Sequence, residues 1–378
     1  MKNFLATTNS FVLIIQANSP GEISNWAIPF ARLFKKNVTT AKIILAITPC
    51  QYASKNEKEV ALHSQVFDQV YAPKETIKLI FSWPLVTNLT SKKGAVLSLG
   101  GDPFYSKLLG LKFHLPVFVY TERKKFKSFL IKEVFSKYEI GDLMYEKIKQ
   151  IKDSLSRDQI LKKYNLQDQK YCLFFAGSRP QHFTSLLPHY LELVKIVKNK
   201  HPDFKAILQV SPFITDKILT QIKKEINLDD FIVLRGNSLE LISISSLLLT
   251  IPSTSTSEAM YLGLPMIVVL PTNKADLIIF DGLLGLVGNL PILGTILKKI
   301  VIAVVTKVAQ KRLFALPNIM AQKEVVPELK GHLTAEFVAE KVCELFYNEA
   351  ALDKIKKELA LIPIKEDTAQ LMMEKIKS

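Results

Sequence analysis

Two doubly wound α/β domains in tandem, closed by C-terminal helices, are the architecture this sequence predicts. Three observations carry the prediction. Short uninterrupted apolar runs end in turns rich in Gly, Pro or Ser; stretches with apolar residues at helical spacing separate them; and a charged interruption near the middle is followed by a second round of the same alternation.

In order, Phe11 to Ala17 reads as a buried strand ending in the turn Asn18-Ser19-Pro20-Gly21. Glu22 to Lys36 then sets Ile23, Trp26, Ala27, Phe30 and Leu33-Phe34 on one helical face. Ala41 to Thr48, Val66 to Tyr71, Ala95 to Leu99 and Val117 to Tyr120 continue as strands. The stretch Asp142 to Tyr164 is helical, rich in Lys, Asp and Gln, and is read as the linker. Beyond it come strands at Tyr171 to Phe175, Lys205 to Val210, Phe231 to Leu234, Leu247 to Ile251 and Pro265 to Leu270. Helices are expected at Phe183 to Lys198 and Ile214 to Ile226, and Ala335 to Ser378 carries no strand signal. The expected domains are 1–165, 166–345 and a helical segment 346–378 that packs back on the first domain. In such sheets ligands bind at the carboxyl ends of the strands.

Composition agrees with two ordinary cores: 378 residues exceed one typical domain, and 48% hydrophobic with 22% charged residues excludes disorder. The net charge of +15 favours a phosphate-bearing partner. It is dispersed, without an aromatic-basic module, and nucleic acid is not expected as that partner. Cys50, Cys172 and Cys343 lack CxxC spacing and suit a reducing compartment, and no set of the six histidines has metal-ligand spacing, so no metal site is expected. The first apolar run reads as a strand rather than a signal peptide, and Gly282 to Leu297, broken by Pro291, is too short to span a bilayer.

Four turns could carry chemistry. Ser19-Pro20-Gly21-Glu22 joins a strand to a helix N-terminus, where it serves either a ligand or only the helix dipole through Glu22. Gly100-Gly101-Asp102-Pro103 places Asp102 at a strand end, as a general base or as the cap of a helix beginning at Pro103. Gly177-Ser178-Arg179 offers amides and a guanidinium to phosphate oxygens, unless Arg179 is simply solvated. Ser253-Thr254-Ser255-Thr256-Ser257-Glu258 is too polar for core and suits a phosphate or sugar pocket, with Glu258 in the first helical turn able to accept from vicinal hydroxyls. A Ser/Thr capping box is the alternative.

The last two motifs, in this order, resemble the donor-binding half of two-domain GT-B glycosyltransferases. The later run Leu316-Pro317-Asn318-Ile319-Met320-Ala321-Gln322-Lys323-Glu324-Val325-Val326-Pro327-Glu328 is similar to the Leu-Pro-Asn-Ile-Leu-Ala-Gly-Arg-Glu-Val-Val-Pro-Glu signature of the lipid-A-disaccharide synthase family. The resemblance runs from about Cys172 to Glu336. It implies a GT-B architecture with two Rossmann-like domains facing across a cleft. It also implies inverting transfer of an acylated glucosamine from UDP to an acylated glucosamine 1-phosphate, forming a β-1,6 link with no metal or other cofactor, at the cytosolic face of the inner membrane.

Carried over, Gly177, Ser178 and Arg179 face the diphosphate, Ser253, Thr254, Ser255, Thr256 and Ser257 line the donor pocket, Glu258 binds ribose hydroxyls, Asn318 sits beside the donor and Glu328 supports it. Asp102 matches the family's proposed base and Glu22 joins it as a catalytic candidate, with Gly21 and Asn25 on the acceptor side. The first half departs from the family. Asn25 replaces an Asp, one Asp of two is kept at Asp102, and Tyr120 is followed by Thr121-Glu122-Arg123-Lys124-Lys125 instead of the family's aromatic stretch.

An anionic membrane surface is the expected third partner. Leu283, Leu284, Leu286, Lys298 and Lys299 form an apolar stretch beside cations, and Arg123, Lys124, Lys125 and Lys127 form a second cluster. Rival readings are a UDP-sugar epimerase, a GT-B enzyme for another lipid acceptor, and a silent nucleotide- and membrane-binding homologue.

Overall fold

The computed structural model describes residues 10–49, 56–82, 93–100, 102–122, 126–152, 156–271 and 312–378. The chain divides into two compact units, 1–150 with 364–378, and 151–363.

The first unit is built on a six-stranded parallel sheet in the order β3-β2-β1-β4-β5-β6. Its strands are β1 Val12–Ala17, β2 Lys42–Ile47, β3 Gln69–Tyr71, β4 Gly94–Leu99, β5 Val117–Thr121 and β6 Glu133–Ser136. β1 lies between β2 and β4, with Val12 opposite both Lys42 and Gly94, and all six of its residues are buried, as a strand covered on both faces requires. The covering helices are α1 Pro20–Glu22, running through a π-turn at Ile23–Ala27 into α2 Ile28–Asn37, then α3 Glu57–His63, α4 Pro73–Phe81, α5 Phe104–Phe113, α6 Lys137–Ile140 and α7 Leu143–Lys152. Val12, Ile14, Ile44, Val96, Val119 and Leu109 form one side of the core.

The second unit repeats the plan in the order β12-β11-β10-β7-β8-β9. Its strands are β7 Cys172–Phe175, β8 Ala206–Gln209, β9 Ile232–Leu234, β10 Leu247–Thr250, β11 Met266–Pro271 and β12 Glu328–Gly331. Its helices are α8 Arg157–Lys163, α9 Pro180–Lys200, α10 Asp216–Glu225, α11 Ser238–Ile244, α12 Thr254–Leu262, α13 Leu316–Ala321, α14 Ala335–Phe346 and α15 Glu349–Ala360; the final helix, α16 Thr368–Lys377, belongs to the first unit.

The division falls at 150–151 rather than at 165. The charges of α8, read as a solvated linker, find partners in the second unit. Arg157 donates to Asp168 at 2.9 Å and to the Ile244 carbonyl at 2.8 Å, and Lys163 donates to Glu240 at 2.7 Å. Residues 346–363 also stay with the second unit, and only 364–378 return to the first. There Thr368 donates to the Ile140 carbonyl at 2.8 Å and Lys365 to that of Glu139 at 2.6 Å.

Two edge strands carry no apolar run in the sequence. β6 enters through Glu133, and β12 reads Glu-Leu-Lys-Gly. An edge strand has one neighbour and needs less apolar surface than a central one.

Candidate functional site

In each sheet the order reverses direction between two adjacent strands, β1 and β4 in the first and β7 and β10 in the second. Loops leaving such a pair diverge and open a crevice at the carboxyl ends of the strands. All four turns singled out in the sequence lie at these two points.

In the first unit the β1 turn closes as a capping box. Glu22 Oε2 accepts the amides of Asn18 at 2.8 Å and Ser19 at 3.2 Å, while Ser19 Oγ accepts the Glu22 amide at 3.4 Å. The β4 turn meets it directly. Gly100 takes φ +76°, and a side-chain carbon there would run into Glu22 Oε1 and the Trp26 ring, so only glycine fits. Burial pushes the Glu22 carboxyl up from 4.5 to about 7; its two backbone hydrogen bonds oppose the rise and the Glu122 charge adds to it. Trp26 Nε1 is buried beside this turn with no hydrogen-bond partner among the described residues.

Asp102 is exposed, and its Oδ1 accepts the Phe104 amide at 2.9 Å. That bond reaches the first residue of α5, but the helix begins at Phe104 with Pro103 as its N-cap and no side-chain cap, so the alternative of a helix beginning at Pro103 and capped by Asp102 is not what forms; the other carboxylate oxygen makes no described bond. Gly21 lies half-buried in α1. Asn25 is 4% exposed and its Oδ1 accepts from Lys147 at 3.1 Å, a tie between α7 and the π-turn that leaves little of it for an acceptor.

Two polar networks behind these turns had no signal in the sequence. Gln16, fully buried in β1, donates to Thr48 Oγ1 at 3.3 Å and accepts from Ser98 at 2.9 Å and Ser106 at 2.6 Å. It thereby joins β1, β2, β4 and α5 below the Gly100–Asp102 turn. Lys137, almost wholly buried, lies 2.9 Å from Asp142 and 3.0 Å from Glu122. The two carboxylates outweigh burial, and its ammonium titrates above the ordinary lysine range. A lone polar residue within a strand, or a lysine in a lysine-rich chain, does not stand out until its partners are known.

In the second unit Gly177 ends β7 at φ +91°. A methyl group on it would meet His182 Cβ at 3.1 Å and Ile251 at the end of β10 at 3.5 Å, which places the two turns side by side. Ser178 and Arg179 are half-buried, and Arg179 is the N-cap residue of α9 without a side-chain cap bond. Behind β10, Ser253 caps α12 by accepting the Ser255 amide at 3.4 Å. Ser255 Oγ sits 2.7 Å from Thr250 Oγ1 and 2.6 Å from Ser253 Oγ, and Thr256 Oγ1 donates to the Ser253 carbonyl at 2.9 Å. Ser255, Thr256 and Ser257 are buried; Ser253 is exposed and Thr254 half-buried, so these two are the hydroxyls open to a ligand. Glu258 is 5% exposed. Because α12 begins at Thr254, it stands in the second helical turn, not the first, and no capping box forms.

The late motif docks on this helix through the Leu316 amide, which donates to Thr256 Oγ1 at 3.3 Å. Asn318 is fully buried and saturated. Its Oδ1 accepts the amides of Val325 at 2.8 Å and Val326 at 2.9 Å, and its Nδ2 donates to the Val326 carbonyl at 2.8 Å and Glu328 Oε1 at 2.9 Å. Glu328 Oε1 also takes the amides of Phe314 and Ala315, at 2.9 and 2.8 Å, and Lys330 pairs with Oε2 at 2.7 Å. Read as a donor contact, Asn318 is instead the fastener of the 314–328 loop.

Cys50, Gly101, Arg123, Lys124, Lys125 and the membrane candidates Leu283, Leu284, Leu286, Lys298 and Lys299 lie outside the described residues. Among the described residues no three His, Cys, Asp or Glu side chains group as metal ligands, and no helix is long and apolar enough to cross a membrane.

Residues 114–286 match the family model described as Lipid-A-disaccharide synthetase. The lipid-A-disaccharide synthase of Francisella philomiragia is 26% identical over 183 residues, 48% of this chain and 42% of that protein. The one from Wigglesworthia glossinidia brevipalpis is 24% identical over 221 residues, 58% of this chain and 50% of that protein. The matches thus span half or less of these curated relatives. Among solved structures, the S. aureus MnaA–UDP complex superposes with TM-score 0.61 at 13% identity over 97% of this chain and 96% of that one. A UDP-N-acetylglucosamine 2-epimerase assigned in Listeria monocytogenes gives 0.60 at 12% over 98% and 96%, and the kitacinnamycin glycotransferase 0.52 at 11% over 97% and 100%. Those likenesses speak for the fold. They show the GT-B glycosyltransferase fold, and over residues 114–286 the chain is similar to the lipid-A-disaccharide synthase family.

Proposed function

We propose that the protein is an inverting glycosyltransferase that moves an acylated glucosamine from UDP to an acylated glucosamine 1-phosphate, forming a β-1,6 disaccharide and releasing UDP. The observation that carries this reading is the second sheet's switch point. There the Gly177–Arg179 turn stands beside the Ser253–Glu258 helix start, and the late family motif is bonded to that helix through Thr256. Departing UDP gains negative charge, and Arg179 with the free amides of the α9 first turn is suited to stabilise it.

Asp102 takes the acceptor proton in this reading, as the resemblance implies. Its exposure and its uncommitted Oδ2 support the role. One observation favours Glu22 instead: a carboxyl raised to about 7 is matched to proton transfer near neutral pH. Mass spectrometry of products from UDP-diacylglucosamine and diacylglucosamine 1-phosphate separates the two. Disaccharide 1-phosphate from wild type, lost in Asp102→Asn with UDP affinity unchanged, assigns the base to Asp102. Loss in Glu22→Gln with Asp102→Asn still active assigns it to Glu22. UDP binding with no disaccharide from wild type overturns the acceptor, and 2-epimerised sugar from UDP-N-acetylglucosamine would favour the epimerase reading.

Acylated substrates call for peripheral attachment at a membrane, on the cytoplasmic side in this reading. The first unit supports it with exposed apolar side chains around α5: Phe81 (68%), Phe104 (54%), Leu111 (52%) and Phe129 (84%). Lys107 donates to Ser128 at 2.8 Å and Lys112 to the Ser82 carbonyl at 3.1 Å, which draws the α4 end, α5 and the 126–131 loop onto one face.

A further inference from the structure

His182 belongs to no motif named above, yet the fold brings it against the Gly177–Arg179 turn. It lies in the first turn of α9, is 5% exposed, and packs so closely that a Gly177 side-chain carbon would meet its Nδ1 at 3.6 Å. Its ring makes no hydrogen bond to a described residue. Although the residue as a whole is buried, its ring nitrogens are not among the fully buried unpartnered polar atoms of the described residues, so they remain accessible to a ligand. Two features beside it suit an anion. α9 runs from Pro180 to Lys200 with no side-chain cap at its start, its first bond from an amide to the turn being Phe183 to the Arg179 carbonyl at 3.0 Å. The Arg179 guanidinium is close enough to act electrostatically on the imidazole.

We propose that His182 is a further ligand of the donor's diphosphate, its neutral imidazole donating one ring N–H to a phosphate oxygen held by Arg179 and the α9 amides. Burial and the Arg179 charge hold the imidazole down at about 4, so near neutral pH it is a one-proton donor rather than a second cation. A neutral donor fits there because Arg179 already supplies charge, and a second buried cation would repel it whenever the site is empty. A neutral ring at this position adds direction to the site, orienting one phosphate oxygen along its N–H. The inference rests on the donor reading above for the nucleotide, but not for the diphosphate.

The test is calorimetric titration of wild type, His182→Phe and His182→Gln with UDP and, separately, with inorganic pyrophosphate. Melting temperatures and the ¹⁵N signals of the histidine rings are followed alongside. The expected result is that His182→Phe weakens both ligands about tenfold or more, the loss of one hydrogen bond to a charged group. His182→Gln, which keeps an N–H donor, recovers most of the affinity, and the His182 ring signal shifts when pyrophosphate is added to wild type. Unchanged pyrophosphate affinity in His182→Phe, or a ring signal that does not move, overturns the inference. If wild type binds pyrophosphate in a His182-dependent way but not UDP, the inference stands and the uridine nucleotide reading falls. Binding of neither ligand overturns both. Should His182→Phe fail to fold, His182→Gln and the ring signal decide.

Discussion

At the scale of single residues, Glu22 is a group whose environment reverses what its sequence setting suggests. By position it is a helix N-terminal acid, a place that ordinarily stabilises a carboxylate. Burial beside Gly100 and Trp26 reverses the balance and lifts it to about 7. The folded state therefore holds a proton that the unfolded chain, near 4.5, has released. The resulting stability is fully present below 4.5 and is lost as pH rises through about 7. We expect a fall of about 1–3 kcal/mol between roughly pH 5 and pH 8 in urea unfolding of the first unit, absent in Glu22→Gln. If Glu22 is the base, kcat/KM shows an acid limb near pH 7 that disappears in the same variant. Equal pH profiles for wild type and variant would remove Glu22 from both roles.

Among the elements, the 314–328 segment, which contains α13, is held by polar fastening in addition to the burial of Ala315, Leu316, Val325 and Val326. Asn318 uses all its hydrogen-bonding capacity on Val325, Val326 and Glu328, and Glu328 adds two more loop amides. Asn318→Ala strands the buried amides of Val325 and Val326, so we expect a cost of about 2–4 kcal/mol. Because the loop docks on Thr256, UDP affinity should fall with it. A variant with wild-type melting temperature but weakened UDP binding would return Asn318 to the role of direct ligand. The motif resembles a family signature in the sequence, but its physical purpose was not legible there. A run of residues names the atoms that can bond and leaves open whether those bonds go to a ligand or to the loop itself.

At the scale of the whole molecule, the chain leaves the first unit at 150 and re-enters it at 364. Helix α16 buries Met372, Met373 and Ile376, while Thr368 is bonded to the α6 end. Burying side chains of this size contributes about 1.5–3 kcal/mol each, so removal of 364–378 is expected to destabilise the first unit by roughly 5 kcal/mol or more. The second unit holds the Gly177 and Ser253 turns and should keep its pyrophosphate affinity. Two calorimetric transitions, of which truncation lowers only the one that pyrophosphate does not raise, would bear this out. A single transition lowered as a whole would mean that the units unfold together.

The repeated α/β plan was readable from the chain alone, because apolar runs, helical spacing and turn residues are local signals. The four candidate turns were readable too, since a strand-to-helix turn with Gly or Ser marks itself within a few residues. Which groups in those turns stay open and which are bonded within the fold was decided by pairs distant in sequence. Gln16 with Ser98, Asn25 with Lys147, Gly100 with Glu22 and Thr256 with Leu316 meet only after the sheets assemble. Burial and partnership are properties of the assembled sheets, and they turned Asn25 and Asn318 into structural ties, raised the proton affinity of Glu22, and set His182 against the Gly177–Arg179 turn.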